Sequence, residues 1–347
     1  MRKLMIVLLA LVVLAVPVNA AEIVAPTVTG EAGELMPAER ESFAEGLWEI
    51  LGKAIKKLDP EISQAAKTCV ALVAILLLTS VLRFVPGSVE RAVEMAGVLA
   101  VALVLLQQTV SLIHLGADTI SRLSEYGKLL LPVMTAAMAA QGGVTTATAF
   151  YTGTAVFDAV LGSVIASVLI PMVYVFLILA TAGCATGVDR LKKIRDFVKW
   201  LMTWLMKTLL YVFTGFLSIT GVVSGATDAA ALKAAKLTLS GMVPVVGGIL
   251  SDASEAVLVG AGVMKNAAGI YGLLAVSAMC ITPFLRIGVQ YLMLKLTAAL
   301  CSSFDVKRPA ELVESFSGAM GLLLGMTGAM CMLLLISTVC FMKGVSG

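Results

Sequence analysis

An all-α, polytopic membrane protein is the fold class this sequence predicts, and three observations predict it. The 347 residues are 59% hydrophobic and only 14% charged, with a mean hydropathy of +1.00, whereas soluble domains carry about 25% charged residues. About six apolar stretches, at 67–85, 92–114, 163–186, 200–223, 268–300 and 316–341, each approach or exceed the roughly 20 residues that cross hydrocarbon. Long parts of these stretches lack the polar outer face that a helix on a water-soluble core must show. Lipid is therefore the expected solvent. The net charge of +3, with no dense Lys/Arg stripe interleaved with aromatics, gives no signature of nucleic-acid binding.

The N-terminal "MRKLMIVLLALVVLAVPVNAA" has a basic start at Arg2 and Lys3, an apolar run to Val16, then Pro17 and small residues at Val18 and Ala20. That pattern reads as a cleavable secretory signal over 1–20. The competing reading is an uncleaved first helix, against which the shortness of the run counts. Residues 21–66 form an expected extracytoplasmic region, and the membrane domain is expected over 67–347. Within "ESFAEGLWEILGKAIKKLD", Phe43, Leu47, Ile50, Leu51, Ala54 and Leu58 fall at helical spacing, with Glu41, Glu45 and Glu49 early and Lys53, Lys56 and Lys57 late. Such an amphipathic, dipole-matched helix could lie on the membrane, dock on a partner or pack on the protein's own external parts. Cys69, Cys184, Cys280, Cys301, Cys331 and Cys340 lie in or beside apolar segments without a C-x-x-C pair, so they read as buried hydrophobes rather than disulfides.

Orientation follows from "GVDRLKKIRDFVKW", where Arg190, Lys192, Lys193, Arg195 and Lys199 outnumber Asp189 and Asp196. The positive-inside rule puts this stretch in the cytoplasm. Counting back gives a cytoplasmic turn at 86–91 and an external loop at 115–128, in agreement with a cleaved signal. The stretch 268–300 holds Pro283 and Arg286 and is either one tilted or broken helix or two spans, a choice that sets the side of the C-terminus.

Two segments resist a simple span count. Residues 129–160, "LLLPVMTAAMAAQGGVTTATAFYTGTAVFDAV", contain Pro132, Gly142, Gly143 and Asp158; residues 241–266, "GMVPVVGGILSDASEAVLVGAGVMKN", contain Pro244, Gly247, Gly248, Asp252, Glu255, Lys265 and Asn266. The two prolines stand 112 positions apart, and the flanking spans repeat at a similar offset. This is a weak parallel duplication of span, broken segment, span. Paired Gly/Pro interruptions point to discontinuous or re-entrant helices shielded by protein or water; equally, small residues simply allow close helix packing. On a helix over 250–266, Glu255, Val259, Gly262 and Asn266 fall within about 80° of Asp252, a face suited to lining a path. Asp252 and Glu255 also fit a helix-capping pair, with Lys265 snorkelling at an interface.

The remaining polar residues carry less. His114, the single histidine, sits at the end of a span and suits an interface better than a proton relay. Arg286 marks either a boundary or a buried pair with an acid elsewhere. There is no H-E-x-x-H, suitable G-x-S-x-G or P-loop, so an enzyme, a resident metal and a cofactor are all unexpected. Asp158 with Asp252 is the one carboxylate pairing an intramembrane aspartyl enzyme could use.

The block "SGMVPVVGGILSDASEAVLVGAGVMKNAAGIYGLLAV", over 240–276, together with the exported N-terminus and polytopic remainder, resembles the stage III sporulation protein AE family of endospore-forming bacteria. The resemblance implies a non-enzymatic membrane subunit of the channel joining mother cell and forespore, resident in the mother-cell-derived membrane around the forespore. It implies as partners the other membrane and ring-forming proteins of the same operon, a cytoplasmic secretion-type ATPase and a forespore-side protein. A homo-oligomer, an autonomous small-solute transporter and an assembly scaffold without its own conduit remain open alternatives.

Overall fold

The computed structural model describes residues 26–37, 43–82, 90–140, 144–219, 267–301 and 306–345. Among these the chain forms nine α-helices and no strand: α1 Glu31–Leu35, α2 Phe43–Lys56, α3 Asp59–Leu82, α4 Glu90–Ala140, α5 Val144–Val164, α6 Ile170–Thr186, α7 Asp189–Ile219, α8 Ala267–Cys301 and α9 Lys307–Val345. Among the described residues, five continuous helical stretches are long and apolar enough to cross a membrane: Asp59–Leu82, Glu90–Ala136, Thr148–Thr186, Gly269–Cys301 and Lys307–Met342. The all-α polytopic class is thus what the structure has.

The expected segment at 200–223 lies on α7 as far as Ile219 but is not one of these five. Its remaining residues, 220–223, lie outside the described residues, and the seven charges among the first eleven residues of α7 precede the segment rather than interrupt it. The stretch 268–300 is one uninterrupted helix through Pro283, which settles the choice left open by the sequence.

Two expectations are corrected on α4. The external loop at 115–128 is helical, and Pro132 sits inside the same helix rather than breaking it. Both have one cause: Gly116, Ile120, Leu123, Gly127, Leu130 and Met134 form a buried stripe at three- and four-residue spacing, so the polar residues between them are the outer face of a packed helix. Pro132 is on the exposed side, where its missing amide costs one hydrogen bond but no packing. The helices end at Ala140 and resume at Val144, on either side of Gly142 and Gly143, which lie outside the described residues.

The proline that does alter a helix is Pro171. A π-helical turn, Ile165–Leu169, joins α5 to α6 just before it. Pro171 has no amide hydrogen for the Ser167 carbonyl and its ring crowds that carbonyl, so one wider turn absorbs the mismatch.

The 51 residues of α4 measure about 76 Å at 1.5 Å per residue, which no tilt in the usual range of about 0–40° fits into some 30 Å of hydrocarbon. Its charge-free stretch, 95–117, is bounded by Glu94 and Asp118 and has the length of one crossing. The remainder of α4 projects beyond it.

At the centre stand α8 and α9, packed on each other and on α4. Glycines set the approach: a Cβ at Gly116 would stand 2.7 Å from Leu323 Cδ1, and one at Gly127 2.8 Å from Leu334 Cδ2. The amphipathic α2 lies on α8, burying Phe43, Ile50 and Ala54 and placing Gly46 against Leu274, while Trp48 on its outer side is 69% exposed. Of the three fates open to this helix, packing on the protein itself is the one observed. Glu34 of α1 accepts a hydrogen bond from Lys57 at 2.7 Å. That bond and the Lys57 charge hold the Glu34 carboxyl below its usual range, so the link is present at neutral pH and is lost as pH falls through the lowered value.

Gly116→Val is expected to lower stability by about 1–3 kcal/mol through overpacking of the α4–α9 seam. Gly52→Ala, on an exposed helical site with nothing within 4 Å, is expected to raise it by up to about 1 kcal/mol. Thermal unfolding of the purified protein in one detergent checks both.

Candidate functional site

Polar groups at membrane depth are expensive and face the interior of a bundle or a water-filled space. In this protein they gather at a few helix junctions. The first joins α3, α4 and α8: Thr68 Oγ1 donates to Gln108 Oε1 at 3.0 Å, and Gln108 Nε2 donates to Gln290 Oε1 at 2.9 Å. Close by on the same helices, Thr297 Oγ1 donates to Cys69 Sγ at 2.9 Å. Gln290 is buried, so the amide pair is satisfied by side chains rather than by water.

The second junction is built on Asp158 of α5. It is 2% exposed and accepts a hydrogen bond from Ser124 Oγ on α4 at 2.9 Å through Oδ2. Its other oxygen, Oδ1, has no hydrogen-bond partner and rests over Gly127, where a Cβ would stand 3.4 Å away. Gly127 therefore makes room for the carboxylate as well as for Leu334. A buried carboxylate with a free oxygen is suited to holding a proton or meeting a cation from the bundle interior.

The third is Arg286, midway along α8. Its Nη2 lies 3.3 Å from Glu31 Oε1, and its Nε lies 2.8 Å from Glu61 Oε1, an ion pair in which the Nε hydrogen is not aligned on the oxygen. The acids that the sequence left unidentified are thus on α1 and at the start of α3. With Tyr271 Oη accepting from the Val28 amide at 3.4 Å and Tyr126 donating to Pro26 O at 3.2 Å, Arg286 ties the N-terminal segment across α4 and α8.

A fourth cluster lies where α7 meets α9. Arg195 donates to Glu311 at 3.0 Å, to Ser315 Oγ at 3.2 Å and to Asp196, and Lys192 lies 2.8 Å from the same Glu311 oxygen. The hydrogen bond and charge of Glu311 raise the Lys192 ammonium above its usual range. Gly187, at φ 70°, ends α6 in the left-handed region with the Arg308 guanidinium 2.5 Å from where a Cβ would stand; Arg308 in turn faces Glu94 at 3.4 Å. The basic stretch of the sequence is therefore locked to the start of α9, which Arg308 in turn joins to Glu94 of α4.

Of the residues singled out from sequence, Asp158 is placed in the interior and Pro132 on an exposed face, and the two are not brought together. Gly142, Gly143, Pro244, Gly247, Gly248, Asp252, Glu255, Lys265 and Asn266 lie outside the described residues. Sequence reasoning missed Thr68, Gln108, Ser124 and Gln290. The signal was present: Gln107 and Gln108 are adjacent amides in the charge-free run 95–117, and uncharged polar side chains at that depth need partners as charged ones do. Among the described residues no group of three or more His, Cys, Asp or Glu is placed to hold a metal ion.

Gln108→Leu leaves Gln290 buried with an unmet acceptor and is expected to cost about 1–3 kcal/mol, whereas Gln108→Leu with Gln290→Leu recovers most of the loss; thermal unfolding of the two variants reads the difference. Arg286→Gln removes the cation facing Glu31 and Glu61. Limited proteolysis should then cut within 26–58 several-fold faster, and Arg286→Lys should restore part of the protection.

Comparison with known proteins bears on the whole chain. Residues 34–344 match the family described as Stage III sporulation protein AE. Over 188 residues the chain is 22% identical to the Stage III sporulation protein AE of Bacillus subtilis (strain 168), a match covering 54% of this chain and 47% of the relative, so that it spans about half of that relative's length. No solved structure matches the chain. A family match over nine-tenths of the sequence, on an all-helical architecture with five membrane-length stretches, is sufficient: this chain belongs to the Stage III sporulation protein AE family.

Proposed function

We propose that this chain is a non-enzymatic membrane subunit of a sporulation export complex between mother cell and forespore, where it helps to form or gate a conduit. Family membership supports the sporulation role. The observation that carries the conduit is the polar interior: the Thr68–Gln108–Gln290 chain and the half-satisfied Asp158 lie between helices of membrane length. The Thr68–Gln108–Gln290 chain also serves helix packing, whereas an ionisable group at membrane depth, here Asp158, marks a bundle interior or a water-filled path. The partners in this reading are the membrane and ring-forming proteins of the same operon, a cytoplasmic secretion-type ATPase and a forespore-side protein, and the location is the mother-cell-derived membrane around the forespore.

In the same reading Pro244, Gly247 and Gly248 break a segment within membrane depth, with Asp252, Glu255 and Asn266 on one face toward the conduit and Lys265 at its edge. Gly142 and Gly143 hold the corresponding place in the first segment.

A scaffold reading has its own support. Val70, Leu78 and Val81 of α3 and Leu103 of α4 expose 61–74% of their surfaces, an apolar face for lipid or for a neighbouring subunit.

Cysteine substitutions along 241–266 separate the two. A conduit requires water-soluble thiol reagents to reach positions at helical spacing, including 252 and 255, and uniform protection favours the scaffold. Asp158→Asn supplies the second arm: sporulation should fall while the protein still reaches the membrane, and normal sporulation would remove Asp158 from the functional residues.

A further inference from the structure

A cavity of about 190 Å³ lies between the segment leading into α1, the middle of α4 and the middle of α8. It is smaller than the roughly 300 Å³ at which drug-sized sites begin, so its occupant is a small group. Its wall is unusual in what it leaves unpaired. Thr282 of α8 lines it, is 4% exposed and has a hydroxyl with no hydrogen-bond partner. Other helical threonines, among them Thr79, Thr119, Thr135, Thr181, Thr327 and Thr338, donate to the carbonyl four residues back; Thr282 does not.

Next to it, Pro283 has no amide hydrogen for the carbonyl of Met279, four residues earlier in α8 and also on the wall. That leaves an acceptor without its helical donor. From α4 come Asp118 and Arg122, both exposed, and among the described residues neither has an ion pair or hydrogen bond to the protein. Arg286 completes the wall, shared with Glu31.

A buried hydroxyl without a partner, as on Thr282, is an exception that calls for an occupant; the exposed Asp118 and Arg122 add charge of both signs to the same cavity. The set offers a carbonyl, a hydroxyl and a carboxylate to a cation, and one free guanidinium to an anion. Asp118 is also the first charged residue beyond the charge-free run 95–117 of α4, which puts the cavity at the edge of the hydrocarbon, where headgroups lie.

We propose that this cavity binds a small zwitterion, its ammonium held by the Met279 carbonyl, the Thr282 hydroxyl and Asp118, and its phosphate or carboxylate held by Arg122. Two sources share that chemistry: the headgroup of phosphatidylethanolamine and a free amino acid.

The test is thermal unfolding of the full chain against O-phosphoethanolamine and glycine in detergent, and in nanodiscs of phosphatidylethanolamine or phosphatidylglycerol. A ligand of the native state raises the unfolding temperature with concentration. Stabilisation by phosphoethanolamine and by phosphatidylethanolamine nanodiscs, with glycine inert, assigns the headgroup; stabilisation by glycine in either nanodisc assigns the amino acid.

Thr282→Val and Arg122→Gln should each weaken the apparent Kd about tenfold. Thr282→Val should leave the unliganded protein as stable as the parent, because the hydroxyl it removes makes no bond there. The proposal is overturned if no zwitterion stabilises the parent, if inorganic phosphate acts as well as phosphoethanolamine, or if both variants respond as the parent does.

Discussion

Backbone amides screened from water must find partners within their own segment, and the architecture of this protein follows from that requirement. Its described long segments are helices throughout, so polarity in the interior is left to side chains that meet where helices touch: Gln108 with Gln290 and Thr68, Asp158 with Ser124, Arg286 with Glu31 and Glu61. Among the described residues, the three prolines that lie beyond the first turn of a continuous helical stretch show three ways of meeting the same demand. Pro132 lies on an exposed face of α4, Pro171 follows a π-helical turn, and Pro283 leaves a carbonyl open beside a cavity.

Between the helices, closeness is set by small residues. Lipid offers no hydrophobic drive for helices to associate, so contact area and backbone approach decide which pairs form. Gly116 and Gly127 bring α4 onto Leu323 and Leu334 of α9, Gly97 receives Thr79 of α3, and Gly272 of α8 receives Leu130. The core is consequently a belt of Leu, Met, Phe and Ala around α8 and α9, and the polar junctions sit within that belt. The N-terminal segment closes one side of it, held by the buried face of α2 and by Arg286.

Membership of the Stage III sporulation protein AE family gives this arrangement its biological setting. A basic cluster locks α7 to α9, and the Arg286 cluster ties the N-terminal segment to α8. Between them lie the buried amides.

Read alone, the sequence determined the class: a chain with 59% hydrophobic residues and apolar runs of span length has no soluble alternative, and the runs at 92–114, 268–300 and 316–341, with 67–85 as far as Leu82, coincide with helices. It also determined the amphipathic helix over 43–56, since spacing and charge gradient are local properties, and the block over 240–276 pointed to the family. Tertiary structure alone decided that 115–128 is helix rather than loop, because a charged stretch reads alike in both until a surface, here α9, covers its apolar face. It alone supplied Ser124 to Asp158, Gln290 to Gln108 and Glu31 to Arg286. The last two pairs are separated by 182 and 255 residues, and a hydrogen bond between residues so far apart is set by how helices pack, which no local pattern encodes.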